Sequence, residues 1–241
     1  MPAIKGDLLY GRNAVAEALR GKRQPHRLML AAGIRPEPRV AAIQKAAAAS
    51  GVPDIEVARD VLDQLTNGAN HQGVALDASC YPYSDAEAPD GGMVIALDHL
   101  QDPQNLGTLL RAAEACGVGL VLIPADRAAE VTPAVVNASA GAVEHLVISR
   151  VTNLARELDD LKANGWWVAG LDHGNASQNL YDAEVPTPTV IVLGAEGKGI
   201  SPNVRRRCDL IVRLPMQGKI ESLNAATAGS VVLFELMSRL N

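Results

Sequence analysis

Six short stretches of this chain are almost wholly apolar: MVIALD (93–98), VGLVLIP (118–124), LVIS (146–149), WWVAGL (166–171), VIVL (190–193) and DLIVRLP (209–215). A strand with one wet face alternates apolar and polar residues; a strand buried on both faces does not. Between these runs lie helical patterns over Pro103–Cys116, stopped by Gly117, then over Pro133–Ala140, Leu154–Asn164 and Ser222–Leu240. Strands alternating with helices predict a parallel sheet covered on both faces, an α/β fold. Only 3% of residues are aromatic while 48% are hydrophobic, so Ala, Val, Leu and Ile must build the core.

The amino-terminal third repeats the alternation on a smaller scale. Helical patterns over Arg12–Arg20, Val40–Ser50 and Arg59–Leu65 separate strand-like runs at 27–32, Ile55–Val57 and 72–78. The stretch YPYSDAEAPDGG (81–92) has two prolines, two glycines and no apolar period, which marks a linker. The expected division is therefore a small α/β domain over 1–80, a linker over 81–92 and a larger α/β domain over 93–241.

Charge is unevenly distributed. Residues 1–50 carry nine Lys or Arg against three Asp or Glu; residues 51–100 carry one against nine. The next hundred hold six against twelve, and residues 201–241 six against three. A basic head on a chain of net charge −5 suits a polyanion such as RNA better than a uniform surface would. No apolar run approaches the roughly 20 residues of a membrane span. No leader-like segment opens the chain. Cys80, Cys116 and Cys208 are scattered without a CxxC pair, so neither a disulfide framework nor a metal site is expected. All three are expected as small buried hydrophobes, in a cytoplasmic protein.

Ligands of open parallel sheets sit beyond the carboxyl ends of the strands, and three junctions there carry unusual residues. In DHLQDPQNLGTLLR (98–111), Asn105 and Arg111 reach one pocket if the helix begins only after Asn105. In GAEGKG (194–199), the glycine order GxxGxG matches neither the dinucleotide fingerprint nor the phosphate loop. Glu196 would repel a phosphate, and Pro202 starts only a short turn. In LPMQGKIESLN (214–224), Ser222 and Asn224 stand at a helix start, where short polar side chains cap free N–H groups.

Together these junctions resemble the three ordered motifs of the SpoU (TrmH-like) RNA ribose 2′-O-methyltransferases: N-x-G-x-x-x-R at Asn105–Arg111, GAEGKG at Gly194–Gly199, and LPM…SLN at Leu214–Asn224. LLYGRNAVAEALR (8–20) is similar to the start of those members with an extra RNA-binding domain. The nearest group is the RlmB type, which methylates a guanosine ribose in 23S rRNA. The resemblance implies a carboxy-terminal trefoil knot, a homodimer, S-adenosylmethionine as methyl donor and RNA as partner, with no metal, DNA or membrane. It implies cofactor contacts at Gly194, Leu214 and Leu223, with Ala195 and Met216 lining the same pocket. Arg111 matches the arginine that activates the hydroxyl. An arginine that keeps its proton is a poor base, so stabilising an alkoxide or gripping a phosphate suits Arg111 better. Asn105 would orient Arg111 or RNA, Glu196 would pair with an arginine, and Ser222 and Asn224 would order the catalytic loop. Two departures stand out. AATAG after SLN is unusually rich in small residues, and Arg205–Arg207 serve equally as an RNA contact or as a solvated helical face. A tRNA target and a non-catalytic RNA-binding role in ribosome assembly remain open, whereas a nicotinamide oxidoreductase lacks its GxGxxG.

Overall fold

A computed structural model describes residues 2–85, 87–174, 177–220 and 222–240, leaving aside the Leu240 side chain. In chain order the first elements are β1 (Asp7–Tyr10), α1 (Arg12–Ala18), β2 (Pro25–Ala31), α2 (Pro38–Ala49), β3 (Asp54–Val57), α3 (Arg59–Leu65) and β4 (Val74–Ala78). Then come β5 (Met93–Asp98), α4 (Pro103–Ala115), β6 (Leu120–Pro124), α5 (Pro133–Ala138) and a 3-10 turn, Ala142–His145. The remainder is β7 (Ile148–Val151), α6 (Leu154–Ala163), β8 (Trp167–Leu171), β9 (Gln178–Asn179), β10 (Thr189–Gly194), α7 (Pro202–Arg205), β11 (Leu210–Arg213) and α8 (Ala225–Leu240).

The chain divides into two compact units, and not by a single cut. The first holds residues up to Pro82 together with Glu130–His145; the second holds Tyr83–Ala129 and everything from Leu146 onward. The sequence reading put 93–241 in one domain, whereas the excursion between β6 and β7 packs with the first unit. Its local pattern is helical in either setting, so periodicity could not reveal which core it joins.

In the first unit the sheet order is β1-β4-β2-β3, with β4 antiparallel to both neighbours and β2 parallel to β3. Met29, Ala31, Leu62 and Ala75 form a core beneath it. The excursion is held by a charge cluster. Arg23, whose side chain is wholly buried, donates to Glu144 at 2.9 Å and to Asp7 at 2.5 Å. It also lies 5.4 Å from the Tyr81 ring centre. Burial pushes the Glu144 carboxyl above its ordinary value, and the adjacent Arg23 guanidinium only partly offsets this. The basic head is thus partly internal. Arg23 is buried, and Arg12, Arg20 and Arg39 pair with Glu37 or Glu17.

The second unit is a seven-stranded sheet in the order β7-β6-β5-β10-β8-β11-β9, parallel at every junction. All six residues of β5 are buried, as are Thr189–Leu193 of β10. Each such Val, Ile or Leu contributes roughly 1.5–3 kcal/mol on leaving water. Trp166, Leu158, Leu161 and Val204 seal one face around Val94, Val168 and Val192. The cysteines depart from expectation in one case: Cys116 is buried and Cys208 partly so, but Cys80 is exposed. Burial pushes the Cys208 thiol up to about 12. No helix of the described residues is long and apolar enough to cross a membrane.

Candidate active site

Four central strands of the second unit end at one level. Asp98 of β5 lies opposite Gly194 of β10, Leu193 opposite Leu171 of β8, and Leu171 opposite Val212 of β11. The loops that follow β8, β10 and β11 enclose a cavity of about 790 Å³, within the range of small-molecule sites.

The loop after β10 explains its glycines. The chain turns back so that Gly199 N–H donates to Ala195 carbonyl at 3.0 Å, forming a bridge between those two residues. A Cβ on Gly194 would stand 2.1 Å from the Gly199 carbonyl carbon, so only glycine lets the two arms approach. A Cβ on Gly199, which sits at φ +63°, would meet Asp172 Oδ1 at 2.8 Å. Two carboxylates fix the far arm. Asp98, 1% exposed, accepts the Ser201 N–H at 2.6 Å, and Asp172 is ion-paired with Arg205. The sequence reading missed both acids. Their signal was an ionisable residue at or just past the end of an apolar strand, where burial demands partners.

The floor of the site is a triangle of side chains from three elements. Asn224 donates one amide hydrogen to Asn105 Oδ1 at 2.8 Å and the other to Glu196 Oε1 at 2.6 Å. Its own oxygen accepts from Ala226 N at 2.9 Å and Thr227 N at 3.2 Å, which caps α8. All four hydrogen-bonding positions of this amide are used. Gly194, Ala195, Leu214, Met216 and Leu223, the five predicted cofactor residues, all line the cavity, as do Glu196, Ser222 and Asn224.

Two family models match. The SpoU rRNA Methylase family covers residues 92–234, and the RNA 2′-O ribose methyltransferase substrate-binding family covers residues 8–84. The chain belongs to the SpoU methylase family. A Bacillus subtilis protein, YacO, whose name assigns it to the TrmH family of tRNA/rRNA methyltransferases, is 35% identical over 98% of this chain and 96% of its own length. An uncharacterised tRNA/rRNA methyltransferase of Synechocystis is 37% identical over 95% of this chain, which spans 62% of that longer relative. Among solved structures, the AdoMet-bound rRNA methyltransferase of Sinorhizobium meliloti superposes with a TM-score of 0.81 at 26% identity, covering 98% of this chain and 88% of the other.

Other expected residues of this SpoU-family chain stand differently from the sequence reading. Helix α4 starts at Pro103, capped by Asp102 through the Gln104 and Asn105 amides, so Asn105 lies inside its first turn. Arg111, six residues on, therefore points about 120° away from Asn105 around the helix. It is exposed, lies off the cavity lining and makes no hydrogen bond or ion pair among the described residues. Glu196 meets Asn224 rather than an arginine. Ser222 is exposed and precedes α8 by three residues, and among the described residues it is Asn224 that caps the helix. Of the arginine run, Arg205 is committed to Asp172 and Arg207 to Asp159 and Asn203, while Arg206 reaches Asn203. Among the described residues no cluster of three or more His, Cys, Asp or Glu could hold a metal.

Proposed function

We propose that the chain transfers a methyl group from S-adenosylmethionine to a ribose 2′-hydroxyl of RNA, with a guanosine of 23S rRNA as target. The observation that carries this reading is the cavity closed by the Gly194–Gly199 turn. Leucines and Met216 line it, and among the described residues its acidic groups are Asp172 and Glu196. With Asp172 paired to Arg205 and Lys198 also in the lining, the Glu196 carboxylate is what suits a cationic sulfonium there. Gly194, Ala195, Leu214, Met216 and Leu223 hold the cofactor, which when bound supplies an already activated methyl group. What the chain must add is alignment and removal of a weakly acidic proton.

Asn224 and Asn105 order the floor against which the ribose lies, and Ser222 and Glu196 border it. Arg111, without a polar partner among the described residues, grips the RNA phosphate or stabilises the developing alkoxide. The first unit supplies RNA affinity through the basic residues of its first 50 positions, and that affinity falls with salt. A homodimer is supported by the outer face of α8, where Phe234 is 48% exposed beside a shallow 470 Å³ depression with Val231. A knotted carboxy-terminal threading belongs to the same reading and comes from the family resemblance.

The test is to incubate the protein and labelled S-adenosylmethionine with rRNA and tRNA from cells lacking the corresponding gene. The modified nucleotide is then mapped by primer extension. Label in a 23S rRNA guanosine ribose is expected; label confined to tRNA would replace the target, and none in any RNA would remove the activity.

A further inference from the structure

We propose that Asp172 takes the ribose hydroxyls of the S-adenosylmethionine donor and that Arg205 is its positioning residue. The proposal rests on the reading of the cavity as the donor site and deepens it. No sequence motif assigned either residue to the donor.

The observations converge on one carboxylate. Asp172 stands one residue past the end of β8, and its N–H donates to the Val212 carbonyl at 3.0 Å, so the pairing with β11 still holds its backbone. It lines the cavity, with its side chain 18% exposed. Oδ1 accepts the His173 N–H at 2.8 Å, and Oδ2 accepts from Arg205 Nη1. The other arm of the Arg205 fork donates to the His173 carbonyl at 3.3 Å. Arg205 stands on α7 and therefore ties the loop after β8 to the element that follows the glycine turn. Gly199 leaves room on a further side, since a Cβ there would come within 2.8 Å of Oδ1. The carboxylate is thus fixed before any ligand arrives, and a fixed acceptor saves the ordering cost of binding. A carboxylate oxygen has two acceptor positions, and among the described residues the protein uses one on each. One position per oxygen is left for a ligand.

What this carboxylate takes follows from its charge. Arg205 already balances it, so Asp172 offers acceptor positions rather than net charge. Neutral O–H donors need only the positions, whereas a sulfonium or an ammonium seeks the charge. Glu196 meets the neutral Asn224 amide and keeps its charge for the cationic part of the donor. Asn224 has every hydrogen-bonding position filled and can take no hydroxyl. The vicinal hydroxyls of a nucleoside ribose present two O–H donors side by side, a pattern that the two oxygens of one carboxylate accept. Dinucleotide sites of parallel sheets use an acid toward ribose in the same way. Leu193, Leu214 and Met216 in the lining then give the base an apolar surface. The assignment also takes Arg205 out of the arginine run that could meet RNA.

The experiment measures, by calorimetry, the binding of S-adenosylhomocysteine and of its 2′,3′-dideoxy analogue. Both ligands are neutral at sulfur, so the sulfonium charge does not enter. Wild type is expected to prefer the ligand with hydroxyls by about tenfold or more, the scale of hydrogen bonds to a charged acceptor. Asp172→Ala is expected to bring the two within about twofold, by weakening S-adenosylhomocysteine and sparing the dideoxy analogue. A merely structural role would weaken both alike and keep the ratio. Asp172→Asn preserves the side-chain shape should the alanine variant fail to fold, and its ratio is expected to fall by about threefold or more. Arg205→Gln leaves the carboxylate unheld and is expected to lower the ratio as well, with Arg205→Lys restoring part of it. A wild type without preference for the hydroxyls overturns the proposal alone, as does the wild-type ratio kept in the Asp172 variants. The wild-type ratio kept in Arg205→Gln overturns the positioning role. A wild type that binds neither ligand overturns the reading of the cavity, and the proposal with it.

Discussion

Asn224 and Asn105, 119 residues apart in sequence, meet amide to amide at 2.8 Å. The contact joins the start of α8 to the first turn of α4, and the second hydrogen of Asn224 holds the loop after β10 through Glu196. One side chain therefore couples all three motifs. Asn224→Ala removes a helix cap, worth about 1 kcal/mol, and leaves Asn105 and Glu196 without their donor. Expected is a loss of about 1–2 kcal/mol in urea unfolding, and weaker donor binding by calorimetry. A double-mutant cycle with Asn105→Ala is expected to give a coupling of roughly 0.5–3 kcal/mol, as residues in one network do. Strict additivity would mean that the network is not energetically joined.

Gly194→Ala tests the turn. Its added carbon would be driven against the Gly199 carbonyl at 2.1 Å, backbone against backbone, so the arms must part. The strand pairing of β10 with β5 and β8 holds, and circular dichroism is expected to stay native. Donor binding is expected to fall by at least tenfold. Retention of full affinity would show that the turn can open without cost to the cavity.

Arg111→Ala separates fold from chemistry. The residue is exposed and makes no polar contact among the described residues, so the melting temperature is expected to stay within about 1 °C, as for ordinary surface changes. Methyl transfer is expected to drop by a hundredfold or more while donor affinity is kept. Arg111→Lys is expected to recover little, since a point charge does not replace a planar fork.

Fold and site differ in how far they are legible in the chain. The parallel sheet was legible because MVIALD and VIVL carry no polar residue facing water, and the cavity residues were legible because three motifs occur in order. The triangle of Asn105, Glu196 and Asn224 was not. Hydrogen bonds between elements 28 and 119 residues apart depend on loop paths that periodicity does not encode. Asp98 and Asp172 were passed over for the same reason: their partners, Ser201 and Arg205, sit in a different junction. The strand β1 was missed because Asp7–Tyr10 is too short to show alternation, and it forms only against β4.

The thiols give a chemical check. With native protein at pH 8, iodoacetamide is expected to label exposed Cys80 and to spare Cys116 and Cys208, which burial keeps protonated. Because the folded Cys208 thiol is held above its free value of 9.0, at about 12, its contribution to stability is whole below pH 9 and is lost as pH rises through that interval. Cys208→Ala is expected to flatten the alkaline side of a stability–pH curve measured by urea midpoints. An unchanged slope would assign the alkaline loss to other groups.

The excursion from Glu130 to His145 makes the protein a single piece of engineering rather than two modules on a string. Val135, Val136 and Val143 in it are fully buried, and the α5 segment packs on β1 and α1 of the first unit. A clone starting at residue 83 would carry that helix without the surface that covers it, exposing valines to the solvent and to other chains. Grafting the RNA-binding portion onto another enzyme, or removing it by a single protease cut, is therefore expected to yield aggregate. Duplication and exchange of this unit between genes would require three simultaneous splices, one after Pro82 and one at each end of the loop it borrows.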